Sequence, residues 1–201
     1  MKASLQLINK LLRTPGDKLL EVISKANKSM NKVSLLIEDL LSATSMQEGQ
    51  MHLNKLSITI SGIIEECCDH ARSGGIHSIK IYGDEHLKVL ADPDRIEQVV
   101  ENFINNAIKY APESQEIRID LEKLNGMAKI SVSDTGPGIP KEKLPHLFDR
   151  FYRVESSGNR YSGLGLGLYI SAEIIKKHGG KIGATSEEGK GSTFWFTLPL
   201  S

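Results

Sequence analysis

The sequence predicts an α/β (α+β) fold, a two-layer sandwich of a mixed sheet and helices, preceded by a partial helical hairpin. The first 48 residues contain no aromatic residue, one proline and one glycine. From Gly49 onward, strand-like and helix-like segments alternate and are separated by glycine-rich turns. Segments in that order favour helices packed against a sheet.

Residues 1–45 predict the partial hairpin. Thr14-Pro15-Gly16-Asp17 ends a short first helix, already apolar-periodic at Leu5, so we expect the chain to open within that helix. In the second helix apolar residues follow heptad spacing. Two helices, one of them short, cannot bury such a seam alone, so a homodimer is favoured over an amphipathic hairpin packed on its own domain. The seam residues are Leu19, Ile23, Ala26, Met30, Val33, Ile37 and Leu40.

Residues 46–50 are the predicted linker and residues 51–201 the α/β domain. Asp92-Pro93 is a strong helix start, because Asp caps the helix and Pro suits its first position. Gly179-Gly180 is a strong helix stop. The predicted helices span 61–72, 93–110 and 165–178. The predicted strands lie around 52–58, 78–83, 87–90, 115–124, 127–133, 180–186 and 193–199.

The composition excludes several classes of protein. Hydrophobic residues make up 39% of the chain, enough for a packed core. Lys and Arg number 25, as do Asp and Glu, and this balance argues against nucleic-acid binding and direct membrane contact. The two cysteines, Cys67 and Cys68, give no disulfide framework, so we expect a cytoplasmic location; the sequence leaves open a membrane anchor upstream. A metal site at Cys67-Cys68-x-His70 is disfavoured, because adjacent helical side chains diverge and a structural site needs four ligands.

The predicted helix 93–110 carries a polar stripe beside its apolar one. Gln98, Asn102, Asn106 and Lys109 share one face. The stripe is either the solvated face or a functional surface. In the second case the two asparagines offer oxygen ligands to Mg²⁺ and the lysine offers an ammonium to phosphate.

Two glycine-rich segments follow. Asp134-Thr-Gly136-Pro-Gly138 ends a predicted strand, and its carboxylate either caps the turn or accepts a hydrogen bond from a ligand amine. Gly163-Leu-Gly165-Leu-Gly167-Leu168 enters an apolar helix, where exposed backbone N–H groups could bind phosphate. Its spacing matches neither a Rossmann site nor a Walker A loop.

The order of the motifs is more specific than any one of them. Asn-x-x-x-Asn-Ala-x-Lys-Tyr, Asp-x-Gly-x-Gly-Ile, Phe-x-x-Phe-Tyr-Arg, Gly-Leu-Gly-Leu-Gly-Leu and Gly-x-Gly-Ser-x-Phe resemble the N, G1, F, G2 and G3 boxes of sensor histidine kinases. This resemblance covers roughly residues 51–201. It implies a Bergerat-type fold that binds ATP and Mg²⁺.

The resemblance also implies roles for individual residues. Asn106 and Asn102 are the implied metal ligands, and Lys109 and Arg153 act with them at the phosphates. Asp134 accepts the adenine amine. The other implied nucleotide-binding residues are Tyr110, Gly136, Gly138, Ile139, Phe148, Arg160, Gly163, Leu164, Gly165, Leu166, Gly167, Leu168 and Thr193.

The implied activity is transfer of the ATP γ-phosphoryl group to a histidine, for relay to a response regulator receiver domain. The family's acceptor lies in a His-Glu-x-x-x-Pro motif, and none of the six histidines here is followed by an acidic residue. We therefore expect this chain to bind ATP without phosphorylating itself. Two alternatives stay open: a gyrase-like or mismatch-repair-like ATPase, which would carry Glu in place of Asn102, and a nucleotide-sensing dimer without transfer activity.

Overall fold

The structure is a computed structural model. It describes residues 51–72, 78–154 and 164–201, and, toward the N-terminus, positions 20, 22–27, 29–30, 33–34, 37, 40–41 and 44. The chain divides into two compact units, Met1–Ser42 and Ala43–Ser201. The predicted first helix of the hairpin, the linker at 46–50, Arg160 and Gly163 lie outside the described residues.

Two sheets form the second unit. β1 (Leu56–Thr59) pairs antiparallel with β3 (Lys88–Ala91). The larger sheet has the order β2-β4-β5-β7-β6. Its β2–β4 pair is parallel and its other pairs are antiparallel, which confirms the predicted mixed sheet. The strands of this sheet are β2 (Ser78–Gly83), β4 (Glu116–Leu124), β5 (Met127–Asp134), β6 (Ile182–Glu187) and β7 (Gly191–Pro199).

Three α-helices accompany the sheets: α1 (Ile60–Arg72), α2 (Pro93–Tyr110) and α3 (Gly167–Lys177). α2 packs against both other helices. A 3-10 helix, Lys141–His146, was not predicted from the sequence. The predicted elements agree with the observed ones to within a few residues, and α2 has the predicted bounds.

Alternation along the strands places the core on one face of the larger sheet. Phe194 and Phe196 of β7 meet Phe103 of α2, with ring centroids 5.5 and 6.0 Å apart. Three alternate residues of β4 and three of β5 join them, and each of these six residues is at most 2% exposed. This period of two gives each strand one buried face. The buried residues of β4 and β5 are Ile117, Ile119, Leu121, Ala128, Ile130 and Val132.

In the N-terminal unit the described positions are helical. Large seam residues predicted from the heptad spacing are between 42% and 67% exposed: Ile23, Met30, Val33, Ile37 and Leu40. Within the described part of the chain, no helix is both long and apolar enough to span a lipid bilayer.

Candidate nucleotide site

Helix α2 brings the predicted polar stripe to the edge of the core. The Asp92 side chain caps the helix by accepting a hydrogen bond from the Arg95 N–H. Asn102, Asn106 and Lys109 are half-buried, whereas the neighbouring Asn105 is exposed. The stripe therefore lies at the boundary between the core and solvent and not on the fully exposed face of the helix.

Asn102 faces the start of helix α3. Its Nδ2 donates to Ser171 Oγ at 3.0 Å, and Ser171 in turn donates to the Gly167 carbonyl oxygen at 3.0 Å. A methyl group on Gly167 would lie 2.5 Å from Asn102 Oδ1, well inside contact distance. Glycine at this position therefore lets the amide oxygen of α2 approach the first turn of α3.

The N-terminus of α3 can receive an anion. Its N-cap residue, Leu166, makes no capping hydrogen bond through its side chain. The first backbone N–H groups of a helix have no partner within the helix, and the helix dipole favours negative charge there. Such an end is a ready phosphate site. The Leu166 side chain is fully buried in the core, so at this position the site can use the backbone but not the side chain.

Asp134 lies at the opposite end of the candidate site. It continues the core-facing row of β5, and its Oδ1 accepts the Gly136 N–H at 2.8 Å. Burial raises the pKa of the Asp134 carboxyl, and hydrogen bonds from the backbone of Gly136 and Ser192 oppose that shift. The group is a half-buried acceptor that caps its own turn, which is one of the two roles that the sequence leaves open.

Close packing explains the glycines of this turn. A methyl group on Gly136 would lie 2.6 Å from Ala111 Cβ at the end of α2. Gly138 has φ of 73° and lies against the backbone of Glu187. Side chains at these positions would push the turn away from α2 and from the β6–β7 hairpin.

Ser186, which the sequence analysis missed, joins that turn to the β6–β7 hairpin. Its Oγ accepts the Ile139 N–H at 2.8 Å, donates to the Gly191 carbonyl oxygen at 2.8 Å and lies 3.0 Å from Ser192 Oγ. A second bond runs from the Gly189 N–H to the Pro137 carbonyl oxygen, at 2.8 Å. No local pattern marks Ser186, because Ile139 is distant from it in the sequence and its other two partners face it across the β6–β7 hairpin.

The register of β5 and β7 separates Ser192 from Thr193. Asp134 pairs with Ser192, so the two side chains share the core-facing side of the sheet. Thr193, one of the predicted nucleotide-binding residues, pairs with Ser133, and their hydroxyl oxygens are 2.8 Å apart on the other face. The side chain beside Asp134 is therefore Ser192, which the sequence did not single out.

The Phe-x-x-Phe-Tyr-Arg segment meets the glycine-rich turn. Phe151 takes a left-handed φ of 64°, and its N–H donates to the Gly165 carbonyl oxygen at 3.0 Å. A methyl group on Gly165 would lie 2.6 Å from the Tyr152 carbonyl oxygen. Phe148 is half-buried against the core. These contacts bring together residues 151 and 165, which flank the Arg153 and Leu164 positions.

The remaining predicted residues lie near the end of α2, in loops or, for Leu168, in the first turn of α3. Lys109 Nζ donates to Tyr110 Oη at 3.0 Å and lies 4.6 Å from the centre of the Tyr110 ring. Arg153 is exposed, while Ile139, Leu164 and Leu168 are half-buried.

The cysteines are inert in this fold. Cys67 and Cys68 are both buried. Burial, together with the charges of Glu101 and Glu97, raises the pKa of the Cys67 thiol to about 12, so the reactive thiolate is scarcely formed at neutral pH. Among the described residues, no group of three or more His, Cys, Asp or Glu side chains could hold a metal ion.

Several known proteins resemble this chain. Sensor histidine kinase WalK of Bacillus subtilis is 39% identical over 170 residues, which cover 82% of this chain and 28% of WalK. The adaptive-response sensory kinase SasA of Synechococcus elongatus is 31% identical over 187 residues, or 90% of this chain and 48% of SasA. The chain thus spans less than half of the length of either relative.

Solved structures share the fold. Full-length ShkA, crystallised with AMPPNP, has a TM-score of 0.76 at 23% identity, covering 95% of this chain and 41% of ShkA. The catalytic domain of histidine kinase ThkA has a TM-score of 0.61 at 29% identity, covering 73% of this chain and 96% of that domain. A family model described as "Histidine kinase-, DNA gyrase B-, and HSP90-like ATPase" matches residues 91–201. Because that match covers more than half of the sequence, the chain belongs to this ATPase family.

Proposed function

We propose that the chain is the catalytic part of a sensor histidine kinase, which binds Mg·ATP and transfers the γ-phosphoryl group to a histidine. One observation carries the proposal. An amide oxygen of α2 meets the uncapped start of α3 at one end of the site, while a half-buried carboxylate lies at the other. A nucleotide has matching ends, an anionic triphosphate and a base that donates hydrogen bonds.

At the base end, Asp134 would accept the exocyclic amine of adenine. The N–H groups of Gly136 and Ser192 orient the carboxylate, and Ser186 holds the two turns that supply them. A fixed acceptor discriminates between bases, because adenine carries an amine where guanine carries a carbonyl oxygen.

At the phosphate end, the α2 asparagines suit Mg²⁺. Asn102 binds Ser171 through its nitrogen, which leaves its oxygen on the side of Gly167. Mg²⁺ prefers oxygen ligands and is held partly by substrate phosphates, so two amide oxygens are a chemically suitable donor set. When bound, the ion would neutralise phosphate charge. Asn106 and Asn102 are the residues that would hold it.

Transfer of a phosphoryl group depends mainly on positioning and charge neutralisation. The α3 N–H groups would bind the phosphates, and Lys109 and Arg153 would add positive charge. The same proposal gives nucleotide contacts to Arg160 and Gly163, which lie between Phe151 and Gly165 in the sequence.

The N-terminal unit would form a homodimer. Its described helical positions expose large apolar side chains at heptad spacing, including Met30 at 67% and Val33 at 54%. A second copy could cover this seam by coiled-coil packing. The further proposals are a response regulator receiver domain as the downstream partner and a cytoplasmic location.

The test combines binding with acceptor labelling. Calorimetry should detect Mg·ATP binding to the purified chain. Radiolabelled ATP should leave the chain itself unlabelled, and adding an acceptor helix with a His-Glu-x-x-x-Pro motif in front of residue 1 should produce acid-labile, alkali-stable label. Label on the unmodified chain would contradict the expected absence of an acceptor.

The same assay separates the alternatives. Rapid ATP hydrolysis with no histidine label would favour a clamp-type ATPase. ATP binding with neither hydrolysis nor label would favour a nucleotide-sensing module.

A further inference from the structure

We propose that His178 is a positioning residue: in its neutral form it fastens the segment 51–55 to the first turn of α2 and the last turn of α3, and protonation of its ring releases this junction. This inference does not rest on the reaction proposed above. It concerns how the chain that follows the predicted linker is held by the two helices that carry the site.

Both ring nitrogens of His178 are engaged. The residue is 1% exposed and follows directly after α3. Nδ1 lies 2.8 Å from the Ile174 carbonyl oxygen, and Nε2 lies 3.0 Å from the Asp92 backbone nitrogen. A carbonyl can only accept and a backbone N–H can only donate, so the partners require hydrogen on Nδ1 and a bare Nε2.

Asp92 connects His178 to two other segments, the first turn of α2 and the chain at residue 54. It is 6% exposed. Its Oδ1 accepts the Arg95 N–H at 3.3 Å, which caps α2, and its Oδ2 accepts the Asn54 N–H at 2.8 Å, which holds the incoming segment. The orientation of one carboxylate therefore determines both the start of α2 and the position of residue 54.

Two lysines fasten the same segment to the end of α3. Lys177 Nζ donates to the Met51 carbonyl oxygen at 3.0 Å, and Lys55 Nζ donates to the Lys177 carbonyl oxygen at 3.1 Å. Residues 51, 54 and 55 are thus tied to residues 92 and 177, on either side of the buried imidazole.

Protonation of His178 would bring two hydrogen-bond donors, its own Nε2–H group and the Asp92 backbone N–H, face to face. With hydrogen on Nε2, the ring can no longer accept the Asp92 N–H, and it needs an acceptor in a buried place. The anionic acceptor beside it is the Asp92 carboxylate, which already holds Asn54 and Arg95. Turning that carboxylate toward the imidazolium would release both backbone amides.

The charges around the ring set the condition for this change. Burial lowers the pKa of His178, and the ammonium of Lys55 lowers it further, whereas the Asp92 carboxylate opposes the shift. The Lys177 ammonium is occupied by the Met51 carbonyl oxygen. The neutral ring is therefore the resting state, and release requires acidification below the ordinary range for histidine.

The experiment follows the ring and the junction together in the full chain by NMR. Ring nitrogen shifts should show the Nδ1–H tautomer at pH 7.5. As the ring is protonated on acidification, exchange protection of the Asp92 and Asn54 amides, corrected for intrinsic exchange rates, should fall by about tenfold, the effect of losing one hydrogen bond. Protection of the Ile130 amide, in the centre of β5, should not change.

Two matched variants separate positioning from general structure. His178→Gln keeps an acceptor that can reach Asp92 and has no ionisable group, so the two amides should stay protected at both pH values. His178→Asn reaches only the Ile174 carbonyl oxygen, so the Asp92 and Asn54 amides should exchange fast at both pH values. The proposal is overturned by the Nε2–H tautomer, by a ring that stays neutral until the whole domain unfolds, or by amides that remain protected around a protonated ring.

Discussion

The carboxylate of Asp134 provides the sharpest test of the nucleotide site. Asp134→Asn keeps the size of the side chain and the oxygen that accepts the Gly136 N–H, so we expect the domain to fold. The second oxygen, however, becomes an NH₂ group that must face either the Ser192 N–H or the adenine amine. Each of these is a donor, and the charged acceptor is lost.

The expected loss of ATP affinity follows from the loss of one hydrogen bond to a charged acceptor. A hydrogen bond to a charged group contributes about 1.5–3 kcal/mol, so the affinity for ATP should fall by about ten- to a hundredfold. The affinity for GTP should fall less or rise, because the new NH₂ can donate to the guanine carbonyl oxygen. Wild-type affinity should also decline on acidification, and at a higher pH than for an ordinary aspartate, since burial raises the pKa of Asp134.

Calorimetric titration with ATP and GTP measures both effects. Asp120→Asn is the matched control, because Asp120 pairs with Arg118 on the opposite face of the sheet and the same atoms change there. A folded Asp134→Asn protein that binds ATP as tightly as the control protein would refute the assignment of the base site.

Three further predictions concern Asn106, Ser186 and His178. Asn106→Ala should remove the Mg²⁺-dependent part of ATP binding and spare metal-free ADP binding, whereas Asn105→Ala, on the exposed side of α2, should change neither in calorimetry. Ser186→Ala should lower the free energy of unfolding by about 1–3 kcal/mol and weaken ATP binding, because the Ile139 N–H loses its acceptor, while Thr185→Ala should do neither. Chemical denaturation should show the full free energy of unfolding above about pH 6.5 and a loss as the pH falls toward the lowered pKa of His178. The loss occurs because the His178 ring takes up a proton at a higher pH in the unfolded chain than in the folded chain. His178→Gln should abolish this loss.

Local signals predicted most of the fold. The start of α2 follows from Asp92-Pro93, since a capping carboxylate and a proline at the first helical position act within one turn. The same residue also shows where local patterns fail. The contact of Asp92 with His178 joins positions 86 apart in sequence, and no spacing rule reports it.

The predicted first strand illustrates the same limit. The sequence predicts a strand around 52–58, but pairing with β3 begins only at Leu56. The preceding residues use their backbone groups elsewhere, at Asp92 and Lys177. A strand pattern describes side chains, and the partner of each backbone N–H depends on tertiary structure.

The positions of Ser192 and Thr193 in β7 allow this dependence on tertiary structure to be tested. A motif places both residues within one position of the base, and only the register decides which of them shares a face with Asp134. Ser192 Oγ lies 3.0 Å from Ser186 Oγ, which also accepts the Ile139 N–H, while the Thr193 hydroxyl is hydrogen-bonded to Ser133 on the opposite face. Ser192→Ala should therefore weaken ATP binding by about two- to tenfold, the effect of one neutral hydrogen bond, and Thr193→Val should leave it unchanged. The reverse result in parallel titrations would mean that the β5–β7 register, and with it the geometry argued for the base site, is wrong.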